Sequence, residues 1–241
     1  KTVDRIPWTA GTFVKNRSEG GWSMKRIVWC VAVMMLLVCV GTLALAEEQT
    51  RRWGEDGTYI LLEDGSVRIT RGGTRMNGPS EEVIPGELDG CPVVSLGTSA
   101  YAACRAMERV VIPDGVTHIE GNPFTSCAAL RTIEVSPDHP TLALIDGVLF
   151  DKTEKRLLCY PAGLEADSYE IPQGITAIAD GAFASCEKLE RVSIPDGVTA
   201  IGDFAFAYCS SLSTVSAPVT VTSIGDYAFT WCVSLRQASV P

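Results

Sequence analysis

Histidine and clustered positive charge are scarce in this sequence of 241 residues. It contains two histidines, and its 20 lysine and arginine residues are outnumbered by 29 aspartate and glutamate residues, which gives a net charge of −9. No basic run is longer than two residues. Nucleic-acid binding depends on clustered Lys and Arg that neutralise phosphates, so we expect no nucleic-acid partner.

Motifs that carry chemistry are also missing. The sequence has no Cys-x-x-Cys pair, no Gly-x-x-x-x-Gly-Lys-Ser/Thr loop and no Gly-x-Gly-x-x-Gly turn. His118 occupies a repeat position that elsewhere holds Ala or Ser, and His139 lies in a Pro-flanked loop. Nothing sets a histidine beside a nucleophile and an acid. We therefore predict that the chain is not an enzyme, with no catalytic residue, metal site or cofactor.

The first 46 residues differ from the rest. Met24 is followed by Lys25 and Arg26, then by an uncharged apolar stretch that ends in the small-x-small site Ala44-Leu45-Ala46. These features predict a secretory signal peptide at 24–46. The uncharged stretch is also long enough to anchor the chain in a membrane if it is not cleaved. Glu19-Gly20-Gly21 could be encoded by a ribosome-binding site, so residues 1–23 are interpreted as translated upstream DNA.

The remainder of the chain repeats itself. Cys186, Cys209 and Cys232 are 23 residues apart, as are Cys104 and Cys127. An aromatic residue stands three places before each of these cysteines, and Met or Leu stands three places after: Tyr101, Phe124, Phe183, Phe206 and Phe229 before, and Met107, Leu130, Leu189, Leu212 and Leu235 after. A fixed period of this length predicts stacked units, each of which covers its neighbour's apolar face.

One unit shows how the stacking works. Val192 and Ile194 alternate with Arg191 and Ser193, as in a strand with one buried face. Pro195-Asp196-Gly197 follows and is typical of a turn. The sequence predicts a leucine-rich-repeat solenoid: a curved parallel sheet with one short strand per repeat of about 23 residues, an irregular or short-helical convex side and an inserted β-hairpin.

The repeated pattern Ile-Pro-x-Gly-Val-Thr-x-Ile-Gly-x-x-Ala-Phe-x-x-Cys-x-x-Leu resembles the BspA-like leucine-rich repeat family of bacterial and protist surface proteins. The resemblance covers Tyr59 to Pro241 and is densest from 171 onwards. It implies a curved solenoid with a parallel strand per repeat. It also implies a secreted or cell-surface protein that acts in adhesion or in host–microbe contact.

Two segments depart from the period. Val135 to Ile171 spans 36 residues instead of 23, and the additional residues fit a hairpin. Residues 59–70 carry an Asp64-Gly65 turn between two strand-like arms, a strong hairpin signal. We therefore divide the chain into a cap hairpin at 47–83 and repeats at 84–241, with a hairpin insert at 136–170. Val240-Pro241 begins another repeat, so we expect the repeats to be truncated there.

Seven cysteines follow the signal, and five of them stand at the repeated position. We expect these five to form a buried column, because free cysteine behaves as a small apolar residue. Disulfides remain an alternative in an exported protein. Cys91 and Cys159 lie outside the column and would be the more favoured pair.

The candidate binding site consists of the strand positions that lie between core residues and point to the concave face, because solenoids use such surfaces for binding. These are Arg109, Val111, Thr132, Glu134, Arg191, Ser193, Thr214, Ser216, Gln237 and Ser239. The predicted function is binding of a protein or glycan on another cell or matrix, and the membrane is contacted only through an uncleaved signal. Two alternatives stay open: a spacer that displays a domain beyond Pro241, and a non-catalytic module of a larger carbohydrate-active enzyme.

Overall fold

The computed structural model describes residues 50–73 and 78–239, the last three by their backbone, and every regular element within these ranges is a β-strand. The first nine strands are β1 (Thr50–Trp53), β2 (Gly57–Leu61), β3 (Val67–Arg71), β4 (Glu81–Val83), β5 (Glu87–Leu88), β6 (Cys91–Leu96), β7 (Arg109–Val111), β8 (His118–Ile119) and β9 (Thr132–Glu134). The others are β10 (Leu142–Ile145), β11 (Val148–Asp151), β12 (Arg156–Cys159), β13 (Ser168–Glu170), β14 (Ala177–Ile178), β15 (Arg191–Ser193), β16 (Ala200–Ile201), β17 (Thr214–Ser216), β18 (Ser223–Ile224) and β19 (Gln237–Ser239).

Each regular repeat contributes two short strands, which belong to two different sheets and pair in parallel with the equivalent strands of neighbouring repeats. Strands β13, β15, β17 and β19 form one sheet, while β14, β16 and β18 continue from β12 in another. The register pairs Val192 with Val215 and Ile201 with Ile224, so the period of the sequence is the period of the stack. Between the two strands the chain turns at Gly197, whose φ of 100° is a conformation that residues with side chains rarely adopt.

Aromatic residues form a ladder through the core. The ring of Phe206 lies between those of Phe183 and Phe229, with centroids 4.8 and 5.1 Å apart and planes within 8° and 3° of parallel. Tyr160 extends the ladder 5.4 Å beyond Phe183, so the inserted segment also supplies a ring. Burial raises the pKa of Tyr160 to about 12. The predicted stacking of equivalent apolar residues is confirmed.

The repeated cysteines are thiols and form no disulfide with one another. Cys104, Cys127, Cys186 and Cys209 are buried, and Cys232 is half-buried. From Cys127 onwards, each Sγ of the column faces the backbone oxygen of the aromatic residue in the turn before it: 3.1 Å from Cys127 to Tyr101, 3.7 Å from Cys186 to Tyr160, 3.0 Å from Cys209 to Phe183 and 3.0 Å from Cys232 to Phe206. The column is therefore held by weak S–H···O hydrogen bonds as well as by apolar packing.

The suggested disulfide between Cys91 and Cys159 does not form. Both are free thiols: Cys91 is half-buried at the start of β6, and Cys159 is fully buried at the end of β12. Burial raises the pKa of the Cys159 thiol.

The inserted segment divides the core in two. Strands β10, β11 and β12 form an antiparallel unit whose last strand pairs in parallel with β14. Leu149 and Leu158 pack into the N-terminal apolar cluster, whereas Phe150 and Leu157 pack into the C-terminal one. Successive side chains of a strand point to opposite faces, so this unit is buried on both sides.

The N-terminal end of the stack is antiparallel. Strands β1, β2 and β3 form a meander, and β3 then pairs in parallel with β6. The turn between β2 and β3 contains Asp64, whose carboxylate accepts hydrogen bonds from the backbone N–H and the hydroxyl of Ser66. These bonds hold the pKa of Asp64 below its usual value.

The predicted class, a leucine-rich-repeat solenoid with an inserted hairpin, is confirmed. Where a repeat was predicted to be irregular or short-helical, the described residues form irregular turns. The second strand of each repeat was not expected. In the described residues no helix is long and apolar enough to cross a membrane. The predicted signal at 24–46 and the interpretation of 1–23 concern residues outside the described ranges, and the proposed division of the chain stays a prediction.

Candidate partner-binding face

The ten predicted site residues all lie at the ends of three-residue strands. They are the first and third residues of β7, β9, β15, β17 and β19. The middle residues of the first four of these strands, Val110, Ile133, Val192 and Val215, are buried in the core. Side chains alternate along a strand, so the flanking residues of these four strands point outwards. We call the first and third residues of β4, β7, β9, β13, β15, β17 and β19 together the strand face.

The strand face is carried by two separate sheets. Arg109, Val111, Thr132 and Glu134 belong to the sheet β4-β7-β9. Arg191, Ser193, Thr214, Ser216, Gln237 and Ser239 belong to the sheet β13-β15-β17-β19. Equivalent positions are aligned across neighbouring strands, so Ser193 pairs with Ser216 in register.

Arg109 organises the first sheet. Its guanidinium donates hydrogen bonds to both carboxylate oxygens of Glu134, at 2.8 and 2.6 Å, and forms a longer contact of 3.4 Å with Glu81. This paired geometry lowers the pKa of Glu134 and raises that of Arg109. The positive charge of Arg109 is therefore engaged by carboxylates and is not available to a ligand.

The second sheet presents hydroxyl groups. Arg191 is engaged by Asp167 and Glu190, with nitrogen–oxygen distances of 3.3 Å in each case. Ser193 and Ser216 are exposed, and Thr214 is half-buried. Hydroxyls both donate and accept hydrogen bonds, so this part of the strand face can exchange hydrogen bonds with a polar group.

Sequence reasoning missed four members of the strand face. Glu81 and Val83 in β4 align with Arg109 and Val111, and Ser168 and Glu170 in β13 align with Arg191 and Ser193. A signal for them exists, because each of these strands runs directly into an Ile-Pro pair, as β7 does.

The histidines and acidic residues do not assemble a metal site within the described part of the chain, where no group of three or more His, Cys, Asp or Glu could hold an ion. His118 is exposed in β8. His139 is completely buried, and its Nδ1 accepts the backbone N–H of Leu142 at 3.0 Å. This contact gives His139 a structural role in the loop that precedes β10.

Strands stacked in parallel and ladders of equivalent side chains define a leucine-rich-repeat solenoid. The chain belongs to a particular family of this class: the family model described as the BspA type leucine-rich repeat region matches residues 92–156 and 159–241 in six copies. The resemblance in the repeated pattern is thereby confirmed. No curated protein matches the chain.

The chain is similar to several solved structures of leucine-rich repeat proteins. A leucine-rich repeat protein from Eubacterium ventriosum superposes with a TM-score of 0.50 at 18% identity, covering 78% of this chain and 70% of that one. A leucine rich cell surface protein from Faecalibacterium prausnitzii gives a TM-score of 0.42 at 26% identity, covering 80% and 44%. The leucine rich repeat protein of T. pallidum gives 0.39 at 27% identity, covering 77% and 69%. The first of these similarities supports the repeat architecture alone.

Proposed function

We propose that the chain is an exported or cell-surface repeat protein that binds a macromolecular partner, a protein or a glycan, through the strand face. The observation that carries this proposal is the strand face itself. Its positions are held in register by two parallel sheets, while the middle residues of β7, β9, β15 and β17 are buried in the core. Under this proposal the residues that bind differ from the residues that build the core, as expected for an extended recognition surface.

The second sheet is the better part of the strand face for direct contact. In the first sheet, Arg109 is already paired with two carboxylates. In the second, Ser193 and Ser216 form an exposed pair, so their hydroxyls are open to a ligand. Adhesion is the role implied by the family resemblance, and we assign no catalytic step to the chain.

A double substitution that adds charge to the strand face tests the function. The purified full chain, fluorescently labelled, is applied to immobilised extracellular-matrix proteins and to a glycan array. Ser193→Arg combined with Ser216→Arg places bulky charge on the second sheet and should abolish any specific signal. Ser223→Arg is the matched control, because Ser223 is exposed on a different sheet. Equal binding by the double variant and the control would contradict a role for the strand face, as would binding to no surface at all.

Export has its own test. When the gene is expressed in a bacterium from Met24, the secreted or surface fraction should contain a chain that begins at Glu47, because cleavage is expected after Ala46. Amino-terminal sequencing gives the answer. A surface fraction that retains Lys25 would favour the anchor instead, and a chain confined to the cytoplasm would contradict export.

A further inference from the structure

Two pairs of aromatic side chains stand exposed on the turns of the C-terminal repeats. Phe204 stacks on Tyr227 with centroids 5.2 Å apart and 15° between the planes, and Tyr208 stacks on Trp231 at 6.5 Å and 7°. Between 46% and 68% of the surface of each is exposed. Core packing therefore does not account for these rings, and an exposed apolar patch of this kind marks an interaction site.

The backbone at these positions disfavours large side chains. Phe204, Tyr208, Tyr227 and Trp231 have φ values of 53°, 61°, 56° and 58°. These lie in the left-handed region, which bulky residues seldom occupy. Gly181 holds the position equivalent to Phe204 one turn earlier, with a φ of 63°. The rings are present in spite of an unfavourable backbone, which points to a use for the rings themselves.

One face of each leading ring is open. Phe204 and Tyr208 each stack on the following turn through one face, so the other faces the preceding turn. The equivalent positions in that turn hold Gly181 and Ser185, which have no ring to continue the stack. The step from large to small residues leaves a cleft of about 410 Å³ with Phe204 and Tyr208 in its walls. This volume is in the usual range for ligand sites.

Two carboxylates line the same cleft. Asp180 and Asp203 are exposed. The Oδ1 atom of Asp180 accepts the backbone N–H of Asp203 at 2.8 Å, and Oδ1 of Asp203 accepts that of Asp226 at 2.6 Å. Among the ion pairs of the described residues, none includes Asp180 or Asp203. The cleft therefore combines open ring faces with negative charge that no basic residue of the described ranges pairs with, and a cation complements it.

We propose that this cleft binds an arginine side chain of a partner protein. A guanidinium is flat enough to stack on a ring face while its N–H groups donate to a carboxylate. The compact ammonium of lysine would satisfy the charge but use less of the flat surface. A neutral sugar would cover the rings and leave both carboxylates uncompensated. The cleft lies on the turns rather than on the strand face, so this inference stands independently of the function proposed above.

The test compares two peptides against the full chain. The first is acetyl-Gly-Gly-Arg-Gly-Gly-amide, and the second replaces arginine by citrulline, which keeps the shape and removes the charge. In an NMR titration the arginine peptide should shift the ring signals of Phe204 and Tyr208, and the citrulline peptide should bind at least about fivefold more weakly. Added salt should weaken the binding of the arginine peptide more than that of the citrulline peptide.

Matched variants locate the site. Phe204→Ala and Tyr208→Ala should each weaken the binding of the arginine peptide several-fold. Asp203→Asn removes the charge but keeps an oxygen that can accept the Asp226 N–H, so it should weaken binding without unfolding the turn. Trp231→Ala is the control, because Trp231 touches Tyr208 on the face away from the cleft. It should leave the affinity within about twofold, and thermal melts verify that each variant is folded.

Several results would overturn the assignment. Equal affinity for the citrulline peptide would show an apolar rather than a cationic site. Ring-dependent binding of laminarihexaose without binding of the arginine peptide would identify a sugar platform. Absence of binding by both peptides, or full binding by folded Asp203→Asn and Phe204→Ala, would remove the site altogether.

Discussion

The Sγ atom of Cys209 donates a hydrogen bond to the backbone oxygen of Phe183, 3.0 Å away and 26 residues earlier. Cys232 makes the same contact with Phe206, also at 3.0 Å. The repeated cysteine therefore both fills apolar space and supplies a donor to the turn before it. An apolar residue of similar size could replace only the first of these roles.

This contact predicts how Cys209 tolerates replacement. Cys209→Ser keeps a donor for the Phe183 oxygen, whereas Cys209→Ala removes the donor and leaves a small cavity. We expect Cys209→Ala to lose about 1–2 kcal/mol of unfolding free energy and Cys209→Ser to lose less. Urea unfolding measures both, with Cys91→Ser as a control outside the column. A larger loss for serine than for alanine would show that the hydroxyl finds no partner.

Thiol reactivity reports the same column. In the folded protein, Cys91 is half-buried, whereas Cys127, Cys159 and Cys209 are fully buried. Burial raises the pKa of the Cys159 thiol, which further reduces the reactive thiolate. An alkylating reagent at pH 8, followed by peptide mass spectrometry, should modify Cys91 first and the buried three only on unfolding. Rapid native labelling of the three would disprove their burial.

Phe206 and Phe204 allow a matched comparison within one turn. Phe206 is completely buried between two stacked rings, while Phe204 is 46% exposed. Phe206→Ala should lose about 3–5 kcal/mol of unfolding free energy, the usual range for a buried aromatic. Phe204→Ala should change it by about 0.5 kcal/mol or less. Chemical denaturation decides, and similar small losses at both positions would refute the core assignment of Phe206.

Substitutions at two adjacent residues of the inserted hairpin should affect different halves of the core. Leu149 packs into the N-terminal cluster and Phe150 into the C-terminal one. Leu149→Ala should therefore speed amide hydrogen exchange at Val110, and Phe150→Ala should speed it at Val192. Hydrogen-exchange mass spectrometry distinguishes the two patterns. Identical changes in both halves from either substitution would mean that the two clusters open as one unit.

The ion pair between Arg109 and Glu134 should make the stability of the fold depend on pH. Because Arg109 holds the pKa of Glu134 below its ordinary value of 4.5, their interaction stabilises the fold above that value. The stabilisation is lost as the pH falls through the lowered pKa. In Arg109→Gln the pKa of Glu134, followed by NMR, should rise. The stability difference from the native chain should be present at pH 7 and vanish in acid, and a difference that persists unchanged in acid would contradict this origin.

The regular spacing of residues in the sequence determined most of the fold. The recurrence of Cys186, Cys209 and Cys232 every 23 residues required equivalent side chains to stack, because a single repeat cannot bury its own apolar face. The alternation around Val192 required Arg191 and Ser193 to point outwards. These periodicities are local, so the solenoid, the ladders and the positions of the strand face could be predicted without coordinates.

Other features needed the tertiary structure because they depend on neighbours distant in sequence or on irregular segments. The donation from Cys209 to Phe183 joins two turns. The place of Tyr160 in the aromatic ladder arises from an insert that breaks the period. The pairing of Arg109 with Glu134 could not be read from the sequence, in which both residues are candidate ligand contacts. The cleft beside Phe204 exists because the preceding turn carries Gly181 at the equivalent position. Only the stacking of these two turns converts the difference in side-chain size into a cleft.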